Sequence, residues 1–183
     1  MLAEVYYKLQ AILSSQTFLQ SVFDNRFYLI FLVILLTRIK YATYSSMWLS
    51  ALVNVPGTLL HETMHFLVGA FLNARPCNFT IFPRRDLDGN YVMGSVGFRN
   101  VNFYNAFPSA MAPLLLLPIG FMVNEYVLPI LPATLLNYVL YILLQTIIIE
   151  NAVPSGADFR VAFSSLPGAA LYILLLVLIF LSL

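Results

Sequence analysis

Apolar positions run through this chain in long blocks, and the polar positions between them mark where it must turn. Residues 2–13 place Leu2, Val5, Tyr6, Leu9, Ile12 and Leu13 on one helical stripe, with Lys8 and Gln10 elsewhere. That pattern predicts an amphipathic helix within residues 1–23, lying at a membrane interface. "FYLIFLVILLT", residues 27–37, is intensely apolar but short for a crossing of about 20 residues, so this span must borrow from its polar flanks. Residues 46–72 form a longer apolar segment, interrupted by Pro56-Gly57 and by two histidines. Residues 106–128 (with several prolines), 133–149 and 166–183 are read as the remaining spans.

One long polar interval, residues 73–102, separates the histidine-bearing segment from the proline-rich one. "NFTIF" and "NYVMGSVGF" are rich in β-branched and aromatic residues and flank "RRDLDGN", whose Asp-Gly pair signals a tight turn. A small interfacial β-hairpin is expected there. A second polar break, "ENAVPSGADFR" at 150–160, precedes the last span. The expected fold class is an all-α polytopic membrane protein, a single domain over 1–183, with four or five transmembrane helices according to whether 27–37 crosses fully.

Composition agrees. Of 183 residues 61% are hydrophobic and only 9% charged, outside the range of soluble domains. A net charge of +1 offers no clustered basic surface to displace counterions from phosphates, so no nucleic-acid partner is expected. The single cysteine, Cys77, makes no internal disulfide and leaves the redox compartment open. Glu4 precedes the first basic residue, and no removable signal peptide is expected. With the N-terminus inside, Lys8, Arg26, Arg75, Arg84, Arg85, Arg99 and Arg160 fall on the cytoplasmic side and only Arg38 and Lys40 outside, the distribution the positive-inside rule favours.

The candidate chemistry lies in "LLHETMHFLVGAFL", residues 59–72. His61 and His65 are four apart, so on a helix both imidazoles leave one face about one turn apart and can hold one metal ion. Glu62 occupies the place where the HExxH pattern puts a general base beside the metal's water. The bland alternative is a pair of histidines bonding to neighbouring helices. Against it, the chain contains only two histidines and both fall in the pattern. Ionisable groups inside a membrane segment are costly and mark function.

A catalytic zinc takes three protein ligands and keeps one position open. Cys77 lies past the helix in an expected strand, Asp86 and Asp88 belong to the turn, and Glu125 sits toward the far end of its span. Glu150 and Asp158 remain, both in the break on the side of the motif helix's C-terminal end, and Asp158 is preferred.

A membrane helix with HExxH, then a β-hairpin, then a segment opening with Asn-x-x-Pro and an aspartate resembles the site-2 protease family of intramembrane zinc metalloproteases. "NAVPSGADF" supplies Asn151, Pro154 and Asp158. The family's aspartate stands in Leu-Asp-Gly; here it comes one residue early, with Ala157 for the leucine and Phe159 for the glycine. "SAMAPLLL" at 109–116 parallels the family's small-residue segment, with Ala112 for its usual glycine and no asparagine. The likeness covers roughly residues 46–165 in layout. It implies one catalytic Zn2+ on His61, His65 and Asp158, Glu62 as base, and a membrane-anchored, single-span protein as substrate, cut toward the cytoplasmic side in the bilayer. At 1.5 Å per helical residue the site would lie roughly 10 Å below that surface. Asn151 is a candidate donor to the developing oxyanion or simply a helix cap. The hairpin, with Gly94 and Gly97, offers an edge strand for an unwound substrate. The competing expectation is a non-catalytic metal-binding or metal-transporting membrane protein.

Overall fold

The computed structural model describes residues 27–85, 91–164 and 166–182, together with Tyr7, Ala11 and Gly89. Apart from Tyr7 and Ala11, which are helical, the expected amphipathic helix of 1–23 lies outside the described residues, as do Asp86 and Asp88 at the hairpin tip. The described chain is mostly helical. Helix α1 (Phe27–Ala42) leads through a 3₁₀ turn at Thr43–Ser45 into α2 (Met47–Phe71). Strands β1 (Pro76–Thr80), β2 (Arg84–Arg85), β3 (Tyr91–Val92) and β4 (Ser95–Phe98) follow. Then come α3 (Ala106–Ala110), a 3₁₀ turn at Ala112–Leu115, α4 (Leu116–Tyr126), α5 (Leu135–Glu150), α6 (Gly156–Ala162) and α7 (Leu166–Ser182).

Helix α2 runs unbroken through Pro56, so the Pro56-Gly57 pair does not interrupt it. Its faces are inverted relative to a helix of a water-soluble protein. Ser50, Asn54, Thr58, Glu62 and His65 are buried, while Trp48, Leu52, Val53, Leu59, Leu67 and Phe71 are exposed. The helix ends where Asn73 takes a left-handed conformation (φ 56°) and Ala74 N–H closes onto Gly69 O at 2.7 Å.

The expected hairpin forms as two short antiparallel ladders, β1 with β4 and β2 with β3, joined by irregular chain. It lies along α2: the Phe98 ring rests on Gly69, and Gly94 faces Thr58 and Glu62 farther back along the helix. At Gly94 a Cβ would stand 2.5 Å from Thr58 Cγ2 and 2.8 Å from Glu62 Oε1, so only glycine lets the strand come this close.

The proline-rich segment expected as one span over 106–128 is divided. Pro113 has no N–H, so α3 stops at Ala110 and a 3₁₀ turn intervenes before α4. Among the described residues, the run Ala112–Ile130, 19 residues, is long and apolar enough to cross a membrane. α6 and α7 pass the same test only if counted together across a sharp bend, and α5 is apolar but shorter. α1 has 16 residues, and α2 has the length but a polar stripe that lowers its apolarity. α4 and α5 pack through Leu116, Ile148 and Ala152, with Leu60 and Met64 of α2 against them. A second cluster of Tyr138, Tyr141 and Ile142 receives Leu36 of α1.

Lys40 Nζ and a carboxylate oxygen of Glu150 form an ion pair at 2.9 Å, so the end of α1 and the end of α5 lie at one level. Packing of Leu36 beside Tyr138, Tyr141 and Ile142 sets α1 alongside α5 with both C-terminal ends together, and this brings the two charges into reach.

Candidate metal centre

Four separate segments deliver the site. α2 supplies His61, Glu62 and His65; α6 supplies Asp158; the ends of α3 and α5 supply two backbone carbonyls. His61 Nδ1 lies 2.8 Å from Asn151 O, and His65 Nδ1 lies 2.8 Å from Ser109 O. A carbonyl only accepts, so each Nδ1 carries a ring hydrogen, and Nε2 of each ring presents a lone pair when the ring is neutral. Both carbonyls are free for this because the N–H four residues on is missing or committed elsewhere. In a continuing helix Ser109 O would accept from residue 113, which is Pro113 and has no N–H. Asn151 O would accept from Ser155 N–H in a continuing helix, but that N–H is committed to Asp158 Oδ2 at 2.7 Å, and Pro154, one residue nearer, has none.

The two lone pairs converge. His61 Nε2 and His65 Nε2 are 3.1 Å apart, with the rings edge to face. The Asp158 carboxylate closes the third side, Oδ1 3.2 Å from His65 Nε2 and Oδ2 3.4 Å from His61 Nε2. Three acceptors this close repel one another unless a proton or a metal cation sits between them. The spacing fits a small divalent ion: tetrahedral zinc with bonds of about 2.0–2.1 Å keeps its ligand atoms about 3.3 Å apart. These three residues are the group among the described residues that can hold a metal ion.

Asp158 is held by its own helix. It is the third residue of α6, and with the N-cap Ser155 it makes a reciprocal capping box: Ser155 N–H donates to Asp158 Oδ2, and Asp158 N–H donates to Ser155 Oγ at 3.2 Å. The same carboxylate thus caps a helix and faces the imidazoles. The alternative ligand, Glu150, is turned to Lys40. Cys77 is on β1 outside the cluster, and Glu125 is exposed near the end of α4.

Glu62 is buried on α2 between the histidines and lines, with them and Asp158, a cavity of about 810 Å³. The cavity is closed on the far side by the hairpin from Val92 to Phe98, and Arg84, Arg85 and Glu150 also line it. Asn151 lines it too. Its side chain lies against Gly57, and Nδ2 donates to Ile147 O at 2.8 Å, while its carbonyl serves His61. One amide hydrogen remains beyond that bond.

Ser155, Ser109 and Pro113 were not singled out as site residues from the sequence, Pro154 entered only through the Asn-x-x-Pro pattern, and Asn54 and Thr58, which extend the polar face of α2, were not singled out either. A signal existed for the last two: Ser50, Asn54, Thr58 and Glu62 recur at intervals of four within an otherwise apolar helix. Comparison of the chain with protein-family models, with curated proteins and with solved structures gives no match.

Proposed function

We propose that this chain is an intramembrane zinc metalloendopeptidase, similar in its chemistry to the site-2 proteases, acting on membrane-anchored proteins. The observation that carries the reading is the convergence of two Nε2 lone pairs and one carboxylate, with both Nδ1 atoms tied to carbonyls and a buried glutamate alongside. His61, His65 and Asp158 would hold the zinc, which when bound would supply a Lewis acid for the peptide carbonyl and for water. Glu62 takes the proton of the attacking water and delivers it to the leaving amine nitrogen. Its burial keeps that carboxylate out of bulk solvent, and Gly94 leaves room for the hairpin to cover it without touching its chemistry. The second hydrogen of the Asn151 amide is the group this reading assigns to the oxyanion.

A multi-pass arrangement with the site toward the cytoplasm belongs to the same proposal. It is supported by the inverted faces of α2 and by the apolar exteriors of α4, α5 and α7, where Phe121, Leu136 and Leu174 are exposed. Lys40, at the level of Glu150, joins Arg84 and Arg85 on the cavity side, which concentrates basic residues there as the positive-inside rule expects.

The test uses purified full-length protein and a set of single-span substrates. Wild type is expected to hold zinc and cleave; Glu62→Gln is expected to hold zinc with cleavage reduced about a thousandfold, the scale of a lost general base. Undiminished cleavage by Glu62→Gln would remove the peptidase reading.

A further inference from the structure

We propose that Asn54 and Thr58 form a hydrogen-bonding subsite that reads a polar side chain of the substrate two to four residues from the cleaved bond, an assignment that rests on the peptidase reading above. Both residues lie on the buried face of α2 that carries Glu62 and His65, and both line the same cavity. Thr58 is 8% exposed and Asn54 9%, so each is more than nine-tenths buried.

Their hydrogen bonding is incomplete. Asn54 Nδ2 donates to Ser50 O at 2.7 Å and approaches Ser50 Oγ at 3.5 Å, while Oδ1 accepts from nothing among the described residues. A threonine inside a helix commonly returns its hydroxyl to the carbonyl four residues back. Thr146 does so, to Ile142 O at 2.8 Å. Thr58 makes no hydrogen bond through its hydroxyl among the described residues, although Asn54 O stands at that position. Asn54 Oδ1 and the Thr58 hydroxyl are thus open to the cavity and not sealed in packing, and a ligand group that takes the place of water there completes their hydrogen bonding.

The chemistry of that ligand follows from the atoms. Oδ1 only accepts, and the threonine hydroxyl donates or accepts, so the occupant must bring an N–H or O–H donor. Helical rise puts Thr58 about 6 Å and Asn54 about 12 Å along α2 from Glu62. An extended peptide covers those distances in two to four residues at about 3.3–3.6 Å each. The substrate class is therefore an apolar membrane segment that carries Asn, Gln, Ser or Thr at that separation from the cleaved bond.

Full-length protein in lipid nanodiscs, loaded with zinc, is offered matched single-span peptides with Gln or Leu at the second, third or fourth residue from the cleaved bond. Affinity is read on the Glu62→Gln background, so that the subsite is measured without turnover. At the favoured position the Gln peptide is expected to bind about tenfold more tightly, the size of one neutral hydrogen bond completed in a buried site. The preference is expected to vanish in Asn54→Leu and in Thr58→Val with bound zinc unchanged, and to return in Thr58→Ser. Equal affinity for Gln and Leu peptides at all three positions overturns the subsite, as does a preference that survives both Asn54→Leu and Thr58→Val. Preference without cleavage by the Glu62 protein leaves the subsite standing and sinks the peptidase reading; cleavage without preference does the reverse.

Discussion

Each imidazole of the site has its one hydrogen committed to a backbone carbonyl, and the consequences are local and measurable. Losing a ligand should cost more than the ~10–100-fold typical of outer-shell partners, so Asp158→Ala is expected to lower metal affinity by more than about a hundredfold. Ser155 holds the Asp158 carboxylate without facing the imidazoles. Ser155→Ala is expected to weaken metal binding about tenfold, with Ser155→Thr close to wild type because a threonine hydroxyl can cap in the same way, all read by competition with a chelator of known affinity. Gly94→Ala should leave metal content intact while lowering cleavage, since its new methyl meets Thr58 and Glu62 rather than the histidines. Equal metal affinity in Ser155→Ala and wild type would show that the capping box does not position the ligand.

At the scale of elements, breaks in the helices shape the site as much as the helices do. α3 ends at Ala110 and α5 at Glu150, and each presents a carbonyl to a histidine: Pro113 withholds the N–H that would have satisfied Ser109 O, and the Ser155 N–H that would have satisfied Asn151 O goes to Asp158 instead. Pro113→Ala restores a competing donor for Ser109 O; the expected result is weaker metal binding with helix content unchanged or slightly higher by circular dichroism. This is also where the sequence was least readable. The spacing of His61, Glu62 and His65 was legible because helical periodicity alone puts them on one face. Asp158 was legible as one of two acidic residues in the break, but the choice against Glu150 depends on Lys40, which lies on another helix 110 residues away. The apolar segment at 106–128 was read as one span because hydropathy registers composition and not the carbonyl that Pro113 sets free. The hairpin was legible from its turn and its β-branched flanks, but its position along α2 follows from the bare surfaces of Gly69 and Gly94, which only packing reveals.

For the whole molecule, the claim is a cavity that carries the metal ligands, lined by helices and the hairpin, with large apolar side chains exposed on the outer faces. Lys40 and Glu150 at one level give a direct check of how the chain sits in a membrane. On a Cys77→Ser background, Lys40→Cys and Glu150→Cys are expected to be labelled from the same side of sealed vesicles by a membrane-impermeant thiol reagent. Labelling from opposite sides would contradict the arrangement of α1 and α5. The central claim is the metal centre itself, and zinc-edge X-ray absorption on the purified full-length protein tests it most directly. The expected spectrum is one zinc per chain with two imidazoles and oxygen donors at about 2.0–2.1 Å, lost in Asp158→Ala. A protein that takes up no stoichiometric zinc, or a zinc shell containing sulfur, would contradict it.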